Sequence, residues 1–341
     1  MVSRFHGLTL VVAAAAAAVL AAAGCGDQRA YPIVRGSAAD VPCLSELVGY
    51  AMINGGTTGG SASVPQVTVT NAADFVTYAT ATEANVILVD GMITLAETVD
   101  ITSNKSIIGL GANSGFTGAG LHLTDVNNII LRNLVFSKIG VGEGDAINLK
   151  RTTNVWIDHC DFSSDPDDTT SGYDGLVEIT HASDWITVSW CRFHDHRDTG
   201  LIGNLQDNAA EDAGKLHTTY HHNLFLKVNS GPRMRYSTVH LFSNHFQEVT
   251  VNGVAAETMS LAFIEANAFD RVGTPITTDY EDVETGSVRE QSNRFVDSGP
   301  NNVTATSNAP LLGYTYEPDS ASGAPATIEK CAGTGKKLTA P

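Results

Sequence analysis

Short runs of alternating apolar and polar residues recur through the middle of the chain, and helical periodicity is nearly absent. Ser106–Leu110, Asn128–Phe136 and Trp185–Phe193 alternate with a period of two and predict strands. One helix is predicted, around Ala72–Thr80, and no long one. Six runs share an ending, in which Asn or Cys, any residue and then Phe follow in turn: Cys160-Asp161-Phe162, Cys191-Arg192-Phe193, Asn223-Leu224-Phe225, Asn244-His245-Phe246, Asn267-Ala268-Phe269 and Asn293-Arg294-Phe295. Five steps carry Phe162 to Phe295, about 27 residues each, which marks a solenoid whose coils pack only on their neighbours. The fold class predicted is all-β, a single-stranded right-handed parallel β-helix. Stacked Phe side chains would fill its interior, and stacked Asn side chains would form an amide ladder at one turn, where they would tolerate left-handed backbone. A β-sandwich also uses short strands but does not demand a recurring Asn-x-Phe.

The first residues do not share this pattern. Arg4 and His6 precede an apolar run from Leu8 to Ala23, followed by Gly24-Cys25. A basic start, a short apolar segment and small residues before a cut site make a secretory signal over 1–24. Cys after Ala-Ala-Gly resembles a bacterial lipobox, which makes Cys25 a candidate for lipidation at a mature N-terminus; an ordinary signal cut nearby is the alternative. Residues 25–341 then read as one domain, secreted, and held to an outer or periplasmic membrane surface only through a lipid anchor. Cysteines can pair there. Cys43, Cys160, Cys191 and Cys331 are the disulfide candidates, with three connectivities open. In the repeat register Cys160 lies beside Cys191, either as a disulfide or as two buried thiols.

Charge narrows the partners. The 341 residues carry 37 Asp and Glu against 20 Lys and Arg, a net charge of -17, which argues against nucleic acid because counterion release needs clustered cations. Gly55-Gly56-Thr57-Thr58-Gly59-Gly60 lacks the Lys-Ser/Thr ending of a phosphate loop and reads as a turn.

A further set of segments carries a resemblance. Gly-Asp-Ala-Ile (144–147), Val-Trp-Ile-Asp-His (155–159), Asp-Gly-Leu-Val-Glu-Ile (174–179), Ile-Thr-Val-Ser-Trp (186–190), Phe-His-Asp-His (193–196), Leu-Ile-Gly (201–203), His-His-Asn (221–223) and Pro-Arg-Met-Arg (232–235) follow one another in order. Together with Asn-Gly-Gly-Thr-Thr-Gly-Gly (54–60), Ser-Asn-Lys-Ser-Ile-Ile-Gly (103–109) and Ala-Gly-Thr-Gly-Lys (332–336), they resemble the pectate lyase family, the first polysaccharide lyase family. The resemblance implies a parallel β-helix that cleaves pectate (polygalacturonate) or a related acidic polysaccharide by calcium-assisted β-elimination, acting as a monomer.

The chemistry explains why such an enzyme is acidic. Every sugar of the substrate carries a carboxylate, so a hard cation bridging protein and substrate oxygens must relieve the repulsion, and Ca2+ takes 6–8 oxygens. The cation also draws charge from the uronate and acidifies its C5 proton. Glu143 and Asp145 share a strand face, as do Asp174 and Glu178, and Asp145 and Asp174 lie about one coil apart. By the resemblance, Asp145, Asp174 and Glu178 match the calcium ligands and Glu143 a secondary one. The family's proton-abstracting Arg falls at Ser230 and its substrate-binding Lys at Asp198; Arg235 is retained. Arg235 and Arg233 are therefore the catalytic candidates, with Lys215 able to reach in from an insertion, and Arg197 is the substrate-binding candidate. A non-catalytic carbohydrate-binding surface lipoprotein on the same scaffold is the alternative function, and a purely structural adhesin, needing no calcium site, is a third. His194 and His196 share a face, and His217, His221 and His222 follow about a coil later, a spacing open to zinc. Trp156, Trp185 and Trp190 could stack on sugars or pack at coil edges.

Overall fold

The computed structural model describes residues 43–61, 64–168, 172–280 and 284–339; the signal segment and Cys25 lie outside them. Each coil lays one short strand on each of three faces and returns one layer along. Thr153–Asp158, Asp161–Ser163 and Val177–Thr180 form one coil, and Asp184–Ser189, Arg192–Asp198 and Leu201–Ile202 the next. All their pairings are parallel and in register. Ten strands stack on the first face, and the other two faces run on into a sheet of 17. This is the parallel β-helix expected from the repeat.

The interior is held by two ladders. From Phe136 to Phe295 the rings stack coil on coil with centroids 4.5–5.2 Å apart and planes within 12°. Each such pair adds about 0.5–1.5 kcal/mol beyond the burial of the rings. At the N-terminal end Phe75, from the helix Ala72–Ala79, continues the column onto Phe116, so the predicted helix closes the end of the coil stack. In the second ladder the Asn223, Asn244 and Asn267 amides each donate to the Oδ1 of the next Asn, at 3.0, 2.9 and 3.1 Å.

Two sequence expectations are corrected here. The left-handed conformation falls one residue before the ladder, on His159, Trp190, His222, Ser243, Ala266 and Ser292, at φ 51–56°. Such backbone costs about 1 kcal/mol or more in a non-glycine residue. It is kept because it turns the N–H of His159, Trp190 and Ala266 onto a carbonyl of the following coil, at 3.0–3.1 Å. The same corner divides Asn128–Phe136 and Trp185–Phe193, each predicted as one strand. They are two strands apiece, Asn127–Arg132 with Val135–Val141 and Asp184–Ser189 with Arg192–Asp198.

The cysteines settle into different roles. Cys43 and Cys331 form a disulfide, whereas Cys160 and Cys191 are free and buried, so the Cys160–Cys191 disulfide alternative is excluded. These two thiols occupy the place of the ladder amides. Each Sγ faces a carbonyl of the previous coil and one two residues back: Leu131 and Asp158 for Cys160, Ile157 and Ser189 for Cys191. The Cys43–Cys331 bond ties the strand Cys43–Leu44 to the helix Ala324–Cys331, which packs Ile328 over Trp190 and Leu224. Reducing it is expected to cost about 2–5 kcal/mol. Thermal melts with and without reductant should differ by several degrees, and identical melts would show that the staple contributes nothing.

Candidate active site

The third face of the coil stack carries the chemistry. Along Ile147–Lys150, Ile147 and Leu149 point inward and are fully buried, leaving Asn148 and Lys150 to the outside. The same alternation in Val177–Thr180 puts Val177 and Ile179 in the core and Glu178 outside, in register with Asn148. One and two coils further on, Leu201 and then Arg233 take the same row, and Arg233 is in register with Ala255.

Asp145 and Glu178 meet around Gly175. The Gly175 N–H donates to Asp145 Oδ1 at 2.9 Å, and the Leu201 N–H donates to Glu178 Oε1 at 3.1 Å. A Cβ at Gly175 would lie 2.1 Å from Glu178 Oε1. Gly175→Ala should therefore displace the Glu178 carboxylate and remove most of any activity that depends on it, while the core-facing Val177 and Ile179 keep the coil folded. Activity and melting temperature measured together check this. Burial pushes the Asp145 carboxyl up to about 6, against the hydrogen bonds from Asn148 and Gly175, and the charges of Asp174 and Glu143 add to the rise. Burial, and then the charges of Asp145 and Asp174, hold Glu178 well above the ordinary carboxylate range. Asp174 is exposed beside them. Glu143 leans the other way, onto Lys150 at 3.0 Å, and that hydrogen bond holds its carboxyl below the usual range.

Asn148 was not singled out by sequence reasoning. Its amide nitrogen donates to Asp145 Oδ2 at 2.7 Å and Glu143 Oε2 at 3.0 Å, which fixes the amide, and its buried Oδ1 has no donor. The cluster thus gathers carboxylate and amide oxygens, with the His122 imidazole at its edge, 3.6 Å from Glu143. Among the described residues no three His, Cys, Asp or Glu side chains close into a preassembled metal centre.

The arginines lie further along the row. The Nε–H groups of Arg233 and Arg235 donate to the two oxygens of Glu257, at 3.0 and 2.9 Å, and Glu257 is fully buried. Arg235 also donates to the Asn204 carbonyl at 2.6 Å, and Arg233 lies over the Tyr280 ring. Glu257 escaped the sequence reading, although one coil length after Arg235 leads to it. Arg197 reaches the Tyr173 carbonyl at 3.4 Å. Asp198 and Ser230 are in register with each other, and the Ser230 hydroxyl donates to Asn252 Oδ1 at 3.3 Å. Lys215 follows the short helix Ala209–Asp212 at an exposed position.

His221 and His222 bond each other through their Nδ1 atoms at 2.9 Å, and the other histidines disperse among separate partners. His194 bridges Asp161 and Asp195, His196 bonds Ser164 and the Asp174 carbonyl, and His217 bonds Asp184. His222 stacks on Trp190, and the Trp156 indole donates to Ser189, so both tryptophans pack against the coil.

Comparison with known proteins gives one consistent answer. A family model described as pectate lyase matches residues 10–337. A pectate lyase of Emericella nidulans is 41% identical over 223 residues, 65% of this chain and 68% of that protein. Pectate lyase A of Aspergillus niger is 39% identical over 256 residues, 74% of this chain and 79% of that one. The crystal structure of a pectate lyase from Bacillus sp. N165, in complex with trigalacturonate, superimposes with a TM-score of 0.76 at 30% identity, covering 85% of this chain and 99% of that one. With this fold and these oxygens on its outward face, the chain belongs to the pectate lyase family.

Proposed function

We propose that this protein is a polysaccharide lyase that cleaves polygalacturonate or a related acidic polysaccharide by calcium-assisted β-elimination. One observation carries the reading: the buried Asp145 and half-buried Glu178 carboxylates gather around Gly175, in the same outward row as the Arg233–Arg235 pair. A carboxylate cluster that includes an unsatisfied Asn148 Oδ1 suits a hard cation. Asp145, Asp174 and Glu178 would hold it, with Glu143 at the edge. When bound, calcium bridges protein and substrate carboxylates and acidifies the C5 proton.

The chain's own groups do the rest. Gly175 and Leu201 fix the carboxylates through backbone N–H bonds, so the ligands need little rearrangement. Arg235 and Arg233 are the catalytic candidates. Glu257 and the Asn204 carbonyl hold Arg235 in place, and the remaining guanidinium nitrogen is left for the uronate and the charge that develops on it. Arg197, at the rim, would bind substrate.

The signal segment and the Cys43–Cys331 disulfide support action outside the cytoplasm; the reading further takes a single domain over 25–341, monomeric and anchored through a lipid on Cys25. The function is tested by the ultraviolet absorbance of unsaturated uronide released from polygalacturonate. Product that requires calcium and stops with a chelator is expected. Calcium-dependent binding without product would leave the non-catalytic binding role, which the cation-free pairing of Asp198 with Ser230 favours.

A further inference from the structure

A cavity opens at the far end of the coil stack, away from the carboxylate cluster. The row that carries Arg233 runs on through Ala255 and Thr277 to Asn302, three rungs and about 14 Å along the stack. The chain then rounds the corner to the first face, where 305–307 lies beside Ser287–Gln291, the last strand of that face. The Val288 N–H donates to the Ala305 carbonyl at 3.2 Å, and the Ser307 N–H to the Val288 carbonyl at 3.0 Å. Around this contact a cavity of about 750 Å3 is lined by 288–290 and parts of 301–308, within the size range of ligand clefts. Its apolar surface comes from the buried Val288 and from Val303, which packs on the core. Glu290 lies on the same side of the strand as Val288, and the Asn301 amide donates to its Oε2 at 2.8 Å, leaving the other carboxylate oxygen able to accept. The Ser307 hydroxyl is buried here without a partner. Arg289 points to the opposite, exposed side of the strand. It is the one arginine among the described residues with neither an ion pair nor a hydrogen bond. In a chain of net charge -17, that uncommitted guanidinium is a preferred contact for an anion.

We propose that this cavity is a second, non-catalytic binding site for a uronate-bearing saccharide, in which Arg289 takes the sugar carboxylate and Glu290 and Ser307 take ring hydroxyls. A guanidinium holds a carboxylate through two parallel N–H···O bonds and needs no metal to do so. A sugar hydroxyl both donates and accepts, which suits Glu290 as an acceptor and Ser307 in either sense. Because adjacent strand residues face opposite ways, the ligand's carboxylate meets Arg289 on one side of the strand and its hydroxyls meet Glu290 on the other. The carboxylate cluster around Gly175, by contrast, repels a uronate until a cation is bound there. The two sites therefore differ in one readable property: the second one binds without calcium. The kind of sugar rests on the lyase reading above, but the site does not depend on cleavage.

The test is calorimetric binding of tetragalacturonate in the presence of a chelator, for the native protein, Arg289→Ala, Ser307→Ala and Asp145→Asn. The neutral tetrasaccharide with hydroxymethyl groups in place of the carboxylates serves as the control ligand, and release of unsaturated uronide in calcium is followed in parallel. The native protein and Asp145→Asn are expected to bind tetragalacturonate alike, and Arg289→Ala to bind it about tenfold more weakly or worse. Ser307→Ala should weaken it by a smaller factor, and the neutral ligand should bind the native protein about as weakly as the uronate binds Arg289→Ala. No binding in chelator overturns the proposal, as does undiminished binding by Arg289→Ala or equal binding of the neutral ligand. Loss of the chelator-resistant binding in Asp145→Asn also overturns it, since that would put the ligand at the carboxylate cluster. Binding lost in Arg289→Ala, with no product from any protein in calcium, would sink the lyase reading and leave the second site standing. Product in calcium without chelator-resistant binding would do the reverse.

Discussion

Asp145→Asn or Glu178→Gln is expected to reduce calcium-dependent cleavage of polygalacturonate by about 100-fold or more, comparable to losing a principal electrostatic group from an active site. Both substitutions keep side-chain size and backbone, so the coil is preserved. They differ from ordinary core damage in their effect on stability. In the absence of calcium Asp145 is buried, Glu178 is half-buried and each is repelled by its neighbours, and this desolvation and repulsion raise Asp145 to about 6 and Glu178 well above its usual range. Neutralising either relieves that repulsion. The metal-free variants should therefore melt no lower than the native protein, and the calcium-induced rise in melting temperature should shrink. Thermal melts with calcium and with a chelator read both effects. A full calcium shift in both variants would place the cation elsewhere.

Glu257→Gln should produce a large loss of stability. Glu257 is fully buried and is the shared acceptor of Arg233 and Arg235. Removing its charge leaves two guanidiniums side by side in a mostly dry site, at a cost of about 3–5 kcal/mol. For a chain of this size that lowers the melting temperature by roughly 10 °C. Turnover should fall too, because Glu257 aims Arg235. A combined Glu257→Leu, Arg233→Met, Arg235→Met variant separates the two roles. It should recover much of the stability, as apolar replacements of buried ion networks often do, and none of the activity. Activity in the triple variant would remove both arginines from the mechanism.

Much of this was legible in the chain. The recurring Asn-x-Phe fixed the coil period, and both ladders appear where that repeat places them. The helix Ala72–Ala79 followed from local pattern, and Asp145 and Glu178 were named by the resemblance; that Phe75 of this helix closes the coil stack did not show in the sequence. What escaped shares one physical cause: it depends on which residues stack across coils of unequal length. Cys160 and Cys191 are spaced for pairing, yet their sulfurs turn to backbone carbonyls as the ladder amides do. The alternation through Asn128–Phe136 hides a corner because Asn133 at φ 54° turns the chain without interrupting the apolar pattern. Glu257, Asn148 and Asn252 carry no motif of their own and acquire roles only from the residues above and below them.

The account turns on bond cleavage by elimination. Mass spectrometry of the oligosaccharides released from polygalacturonate with calcium tests this directly, because elimination leaves a new end lighter by one water than hydrolysis does. Unsaturated ends formed by the native protein, and absent with Asp145→Asn, are the expected result. Saturated ends, or an unchanged polymer after prolonged incubation with calcium, would contradict the assignment of this chain as a lyase.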